Sequence, residues 1–439
     1  MKFVMREKEL LLYTDLAQGE ILEKMAWLME NFENKEIPQE EKRNKLYQAV
    51  NQLVALSGNH GFYGNLWHCY LTYLLANSEN VYSMPCEIKG SMEGSMNIAA
   101  LHDFEIFREF FSFDFDFMFH QLDADSLRFV FDFEKDGIKS KIYNSRIRDC
   151  ICQQAGKMAE ITSAEEMKDS ISEFYRMYGV GKLGLHKAFR ISGQEGQVEL
   201  QPILNVSHVY LNDLVGYEIP KQKLIANTEA FVEGRKANNC LLFGDAGTGK
   251  SSSIKGILNE YYDQGLRIIE VYKHQFGLLN EVIEQIKDRH YRFIIYMDDL
   301  SFEDFEIEYK YLKAVIEGGL ESKPENVLIY ATSNRRHLIR EKYSDKEERR
   351  DDLHSSDTVQ EKLSLVNRFG VSIFFCAPDR KEFQNIVKQL AERYHVELSE
   401  EDLLAEANKW ELAHSGLSGR TAQQFIDYLL GKKEMTANK

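Results

Sequence analysis

Residues 240–262 constrain the fold of this chain more than any other stretch. Cys240-Leu-Leu-Phe243 is a short apolar run that reads as a buried strand, and a helical pattern covers Ser252 to Tyr262. Between them lies Gly244-Asp245-Ala246-Gly247-Thr248-Gly249-Lys250-Ser251. This is the full G-x-x-x-x-G-K-[ST] pattern in the strand-loop-helix setting that a phosphate cradle requires. Glycines let the backbone curl until successive N–H groups face inward, and the following helix N-terminus adds free donors and partial positive charge. Gly244 to Ser252 form the expected binding loop. Lys250 is expected to reach the β- and γ-phosphates of a nucleotide, and Ser251 to ligate Mg²⁺.

A phosphate loop needs acids and polar groups at neighbouring strand tips. Arg292-Phe-Ile-Ile-Tyr-Met297 reads as an apolar strand ending in Asp298-Asp299. Asp298 is the expected metal-side carboxylate and Asp299 the expected water-orienting base, with Glu303 a further acid close by. Asp299 reaches one methylene less far than a glutamate would. Asn326-Val-Leu-Ile-Tyr-Ala331 reads as another buried strand, closed by Thr332-Ser-Asn334, and Asn334 is expected to bond the γ-phosphate or the attacking water. From Leu241 onward such strands alternate with helices, the mark of an α/β layer fold with a parallel sheet.

Arginines follow. Arg335 to Lys362 is charge-dense and reads mostly as solvated surface. Arg368 precedes a strand at Val371 to Cys376. It is expected either to act in trans on a neighbour's γ-phosphate or to form a salt bridge within the chain. Pro378 to Leu430 is helical, and Arg420 opens its last helix. Upstream, Leu214 and Val215 are expected to pack a nucleotide base. Phe276-Gly277 could form an aromatic pore loop, but a helix-packing phenylalanine is the simpler reading.

Residues 1–180 read mainly as helices. Asn51 to Ser78 carries no Asp, Glu, Lys or Arg, yet Asn, Gln, Ser, Gly and His interrupt it. A spanning helix needs about 20 mostly apolar residues, so a buried helical segment is expected instead, with no membrane insertion. Phe111 to Phe119 alternates like a half-buried strand after a helical pattern, and both periods fit. Phe189–Ile191 and Val198–Leu200 flank a Gly-containing turn and suggest a hairpin. The net charge is −16, divided as −9 over residues 1–212 and −7 over the remainder. Neither half is a basic block, so broad electrostatic binding to nucleic acid is not favoured. Cys150 and Cys152 lie close in sequence without completing a zinc pattern. Buried or incidental thiols in a reducing cytoplasm are expected.

GDAGTGKSS, MDDLSFE, VLIYATSNRRHL, EKLSLVNRFG and SGRTAQQF together resemble the bacterial AAA+ ATP-binding family known as domain of unknown function 815. The resemblance covers residues 205–430 and extends faintly into the N-terminal helices. It implies an α/β AAA+ P-loop NTPase, with a parallel sheet sandwiched by helices, a small C-terminal helical lid and a mainly helical N-terminal domain. The expected boundaries are 1–205, 206–377 and 378–439. It also implies ATP and Mg²⁺ as ligands, with ring or partial-ring homo-oligomers. Asn334 and Arg420 take the two sensor positions, and Arg368 takes that of an arginine finger. The leading expectation is an ATP hydrolase that remodels a protein client. A nucleic-acid-associated protein of the helicase-loader or branch-migration type and a slow nucleotide-gated switch are the alternatives.

Overall fold

The computed structural model describes residues 6–134, 140–302, 308–317, 324–334, 365–414 and 416–437. The chain forms two compact units, Met1–His186 and Lys187–Lys439.

The first unit is helical. Its described helices are α1 (Gly19–Asn31), α2 (Gln39–His60), α3 (Leu66–Asn77), α4 (Ser83–Lys89), α5 (Ser95–Phe111), α6 (Phe115–Gln121), α7 (Ser145–Glu160), α8 (Ala164–Tyr178) and α9 (Gly181–Leu185). The uncharged stretch 51–78 ends in α3, which buries Leu66, Trp67 and every residue from Cys69 to Ala76. A helix apolar on all sides belongs in the middle of a bundle. Among the described residues no helix is long and apolar enough to cross a membrane.

The double periodicity at Phe111–Phe119 resolves as two helices. Ser112 ends α5, and the Asp114 carboxylate caps α6 by accepting from the Phe117 N–H. The cap restarts a helix, so Phe115, Met118 and Phe119 return to one buried face. Asp103, fully buried, accepts from the backbone N–H groups of Leu11, Leu12 and Tyr13 and ties the N-terminal segment to α5.

The second unit is built on a seven-stranded sheet ordered β2-β1-β4-β5-β6-β3-β7. Its strands are β1 (Ala188–Ser192), β2 (Glu199–Pro202), β3 (Cys240–Gly244), β4 (Leu266–Glu270), β5 (Arg292–Met297), β6 (Val327–Ser333) and β7 (Val371–Phe375). Only the β1–β2 pair is antiparallel. The expected hairpin joins the sheet through β1 and β4, so this unit starts at Lys187 and includes it.

Helices α10 (Glu218–Val232) and α11 (Lys250–Tyr261) cover one face, burying Leu224, Phe231, Ile254, Ile257 and Leu258 with Leu242, Ile294 and Tyr330. Helices α12 (Leu279–Ile286) and α13 (Glu308–Glu317) also belong to this unit. Its last part is a small helical body of α14 (Arg380–Arg393), α15 (Glu400–Ala413) and α16 (Gly419–Ala437), with its own core at Phe383, Val387, Leu403, Phe425 and Ile426. This is the α/β AAA+ P-loop fold with its helical lid. Parallel strands place all their C-terminal ends on one side, which is where a ligand binds in such sheets.

One sequence expectation is corrected. The strand ending in Asp298-Asp299 does not neighbour the strand that enters the phosphate loop; β6 lies between β3 and β5. That strand also runs two residues past Ala331, through Thr332 and Ser333.

Candidate functional site

The loop from Gly244 to Ser251 closes on itself. Gly244 has φ +133°, and a Cβ there would lie 2.0 Å from the Phe375 carbonyl, so only glycine lets β3 leave the sheet so close to β7. Asp245 ties the loop to the end of β7. Its N–H donates to the Phe375 carbonyl at 3.0 Å, and its carboxylate accepts from the Ala377 N–H at 2.7 Å. The Thr248 hydroxyl donates to the Asp245 carbonyl at 2.8 Å.

Lys250 is folded back into this loop. Its ammonium donates to the carbonyls of Gly244 at 2.9 Å and Asp245 at 2.6 Å, and the residue is 6% exposed. Burial lowers its pKa, and the carboxylates of Asp245, Asp299 and Asp298 act in the opposite direction. A buried ammonium held by carbonyls alone keeps a strong appetite for an anion.

The acids at the tip of β5 are held from both sides. The Ser251 hydroxyl donates to Asp298 Oδ1 at 2.7 Å, and the Thr332 hydroxyl donates to the same oxygen at 2.5 Å. Burial pushes the Asp298 carboxyl up, but the bonds from Thr332 and Ser251 outweigh it, so its pKa lies below the usual value. Thr332 Oγ1 also accepts from the Asp299 N–H at 2.9 Å. Asp299 sits at φ +50°, a left-handed backbone in which aspartate is better tolerated than most residues. Its carboxylate accepts from the Asn334 amide at 2.8 Å. Ser251 and Asp298 offer the hard oxygen ligands that a small divalent cation takes alongside water.

The lid completes the walls. The Arg420 N–H donates to the Gly247 carbonyl at 3.1 Å, which seats the start of α16 on the phosphate loop. Gly247 has φ +74°, and a Cβ there would meet the Ser418 hydroxyl at 2.9 Å and Arg420 Cβ at 3.1 Å. Arg393 of α14 donates to the carbonyls of Asp213 and Asn212 at 2.9 and 3.1 Å, pinning the lid to the segment before α10. Lys221 donates to the Leu214 carbonyl at 2.7 Å and fixes the same segment from below.

Together these parts enclose a cavity of about 820 Å³. Polar lining comes from Ala246 to Ser253, Asp298, Asp299, Thr332, Asn334 and Arg420. Val209, Leu214, Val215, Ile386 and Leu390 add apolar lining, with His208 and Tyr394. The expected loop residues, acids, Asn334, Arg420, Leu214 and Val215 thus meet around one space or flank it. Arg368 does not line it. Its guanidinium pairs within the chain with Glu317 of α13, the salt bridge that was one of its two expected roles.

Glu303 and the arginines 335, 336, 340, 349 and 350 lie outside the described residues. Phe276 is 2% exposed and packs against Phe302 with ring centroids 6.2 Å apart, which fits a packing role and not a pore loop.

Sequence reasoning missed Thr332, Arg393 and the lid residues Ile386, Leu390, Tyr394, Gln423 and Gln424. Thr332 lies in the Thr332-Ser-Asn334 strand tip. A hydroxyl two residues before Asn334 on an inward-facing strand end was the available signal.

Residues 184–433 match the family described as "Protein of unknown function (DUF815)". The chromosomal replication initiator protein DnaA of Borreliella burgdorferi is 26% identical over 165 residues, covering 36% of this chain and 29% of that protein. Among solved structures, the RuvB P216G mutant of Thermotoga maritima is 18% identical with a TM-score of 0.34. That match covers 48% of this chain and 62% of the other. The Thermotoga maritima RuvB Holliday junction branch migration motor is 16% identical with a TM-score of 0.31, covering 50% and 71%. The chain therefore spans under a third of the DnaA protein that it matches.

Proposed function

We propose that this chain, which belongs to the DUF815 family, is an Mg-ATP-binding AAA+ ATPase that turns over slowly as a homo-oligomer and drives the remodelling of a protein client. The observation that carries this reading is the single cavity into which Lys250, Ser251, Asp298, Asp299, Asn334 and Arg420 converge.

Each residue has a distinct task. The loop N–H groups and the start of α11 receive the phosphates, and Lys250 exchanges its carbonyl partners for phosphate oxygens. Ser251 and Asp298 would hold Mg²⁺, which when bound neutralises charge on the phosphates. Asp299 orients the attacking water and accepts its proton, Asn334 holds that water or the γ-phosphate, and Arg420 adds positive charge from the lid. The apolar lining at Leu214 and Val215 takes the adenine. Arg368, released from Glu317, completes the site of the neighbouring protomer. The helical first unit, residues 1–186, recognises the client, and the chain works in the cytoplasm.

The likeness to DnaA favours a second reading, a nucleic-acid-associated motor or loader. The net charge of −16 counts against it.

ATP hydrolysis across a range of protein concentrations tests the proposal, with Lys250→Ala and Arg368→Ala alongside. The expected result is a specific activity that rises with concentration, with both variants inactive and Arg368→Ala still binding ATP. Wild-type binding without turnover at any concentration would replace the motor with a nucleotide-gated switch. Stimulation by added DNA would favour the second reading.

A further inference from the structure

The helical first unit holds two facing thiols that the nucleotide cavity does not use. Cys69 lies on α3 and is 1% exposed, whereas Cys152 on α7 is partly exposed. Their sulfurs are 3.8 Å apart. A disulfide needs about 2.05 Å, so the sulfurs, on two helices that pack against each other, must close by roughly 1.8 Å.

The neighbouring thiol behaves differently. Cys150, two positions earlier on the same helix, turns into the core and donates to the Ile147 carbonyl at 3.0 Å; burial pushes it up to about 12. Cys152 instead faces a donor. The Cys69 thiol can donate to the Cys152 sulfur or to the Tyr63 carbonyl at 3.3 Å. Arg148, Asp149 and Tyr63 surround the pair. The hydrogen bond from Cys69 lowers the Cys152 thiol against the effect of its burial, and the same bond, helped by burial, raises Cys69. Cys152 is also the member of the pair that solvent reaches, the access that an attacking sulfur requires.

We propose that Cys69 and Cys152 form a redox-active dithiol that a hydroperoxide closes into a disulfide joining α3 to α7. The Cys152 thiolate attacks one peroxide oxygen, the O–O bond breaks, hydroxide leaves, and Cys152 becomes a sulfenic acid. The Cys69 sulfur then attacks the Cys152 sulfur, the S–O bond breaks, and the departing hydroxide takes the Cys69 proton as water. Two thiols lose two electrons and two protons in all, and hydrogen peroxide is reduced to two waters.

The test treats the reduced, folded full chain with hydrogen peroxide, removes the peroxide, unfolds the chain in urea with N-ethylmaleimide to block every remaining thiol and maps the peptides by mass spectrometry. Cys376, the exposed thiol, serves as an internal control. The expected result is joint loss of Cys69 and Cys152 in one linked peptide, restored by dithiothreitol. Cys69→Ser should abolish the linked peptide and leave a Cys152 sulfenic acid that dimedone traps. Cys152→Ser, at the more exposed position, should leave Cys69 alkylatable. The proposal is overturned if both thiols stay alkylatable at a peroxide dose that consumes Cys376, or if either links to a different cysteine.

Discussion

The Asn334 amide donates to the Asp299 carboxylate at 2.8 Å, so the expected base and the expected sensor hold each other. Asp299 adopts a left-handed backbone and is anchored through its own N–H to Thr332. Such a conformation costs roughly 1–3 kcal/mol and persists only where the surroundings enforce it. A side chain committed in this way has to be released before it can orient water, which suits slow turnover.

Asp299→Asn therefore separates binding from chemistry. Under the ATPase reading it keeps ATP affinity within a few-fold of wild type and lowers kcat by about 10²–10⁴-fold, the usual contribution of a general base. Calorimetry and a phosphate-release assay measure the two quantities. An unchanged kcat would remove Asp299 from the chemistry.

Thr332→Val tests the bridge between β5 and β6. It removes a donor to Asp298 and leaves the Asp299 N–H without its acceptor, at a cost of about 1–3 kcal/mol. The Asp298 carboxyl is depressed in the folded chain, so its stabilisation is present above the ordinary aspartate value and is lost as pH falls through the folded value. The stability gap between variant and wild type should be full at neutral pH and shrink below about pH 4. Urea unfolding at both pH values measures it, and a gap that does not change with pH would discount the Asp298 contribution.

Gly247→Ala addresses the seat of the lid. The added methyl would meet Ser418 and Arg420 on a backbone of positive φ, at a cost of about 1–3 kcal/mol. The lid should lift, weakening ATP binding by about tenfold and exposing α14–α16 to protease. Wild-type affinity together with wild-type proteolysis would show that the Gly247–Arg420 contact is dispensable.

His60 and His68 predict how the first unit responds to acid. Burial lowers both below the ordinary value of 6.5, with each ring N–H given to a backbone carbonyl, of Leu56 and Phe111 respectively. The unfolded chain then binds more protons than the folded one below about pH 6.5, so stability falls as pH drops through that range. The urea midpoint of the first unit should decline from about pH 7 to about pH 5, and His60→Gln with His68→Gln should flatten the decline. An unchanged decline in the double variant would assign the acid response to other groups.

The phosphate loop was legible because its chemistry is local: a strand, a fixed run of glycines, Lys250 and a helix follow one another without interruption. Asp298, Asp299 and Asn334 were legible one level up, as polar tips on apolar strands. Thr332 was not, because its task exists only once β6 lies between β3 and β5, and strand order is a tertiary fact. Arg393 and Tyr394 were hidden for a related reason. An amphipathic helix announces its buried face, but not which polar residue at its end turns toward a cavity. At Phe111–Phe119 the aromatic alternation mimicked a strand, and the Asp114 cap was the local cue that decided for helix.

The hairpin at the margin of the sheet carries one more consequence. Without it, β4 would present an open row of backbone donors and acceptors to other chains, a template for aggregation. β1 covers that row, and β2, the outermost strand, is four residues long, carries Glu199 and ends in Pro202, which has no N–H to offer. Deleting residues 188–202 should thus cost solubility before it costs ligand binding, because what the hairpin protects is the sheet's unpaired border.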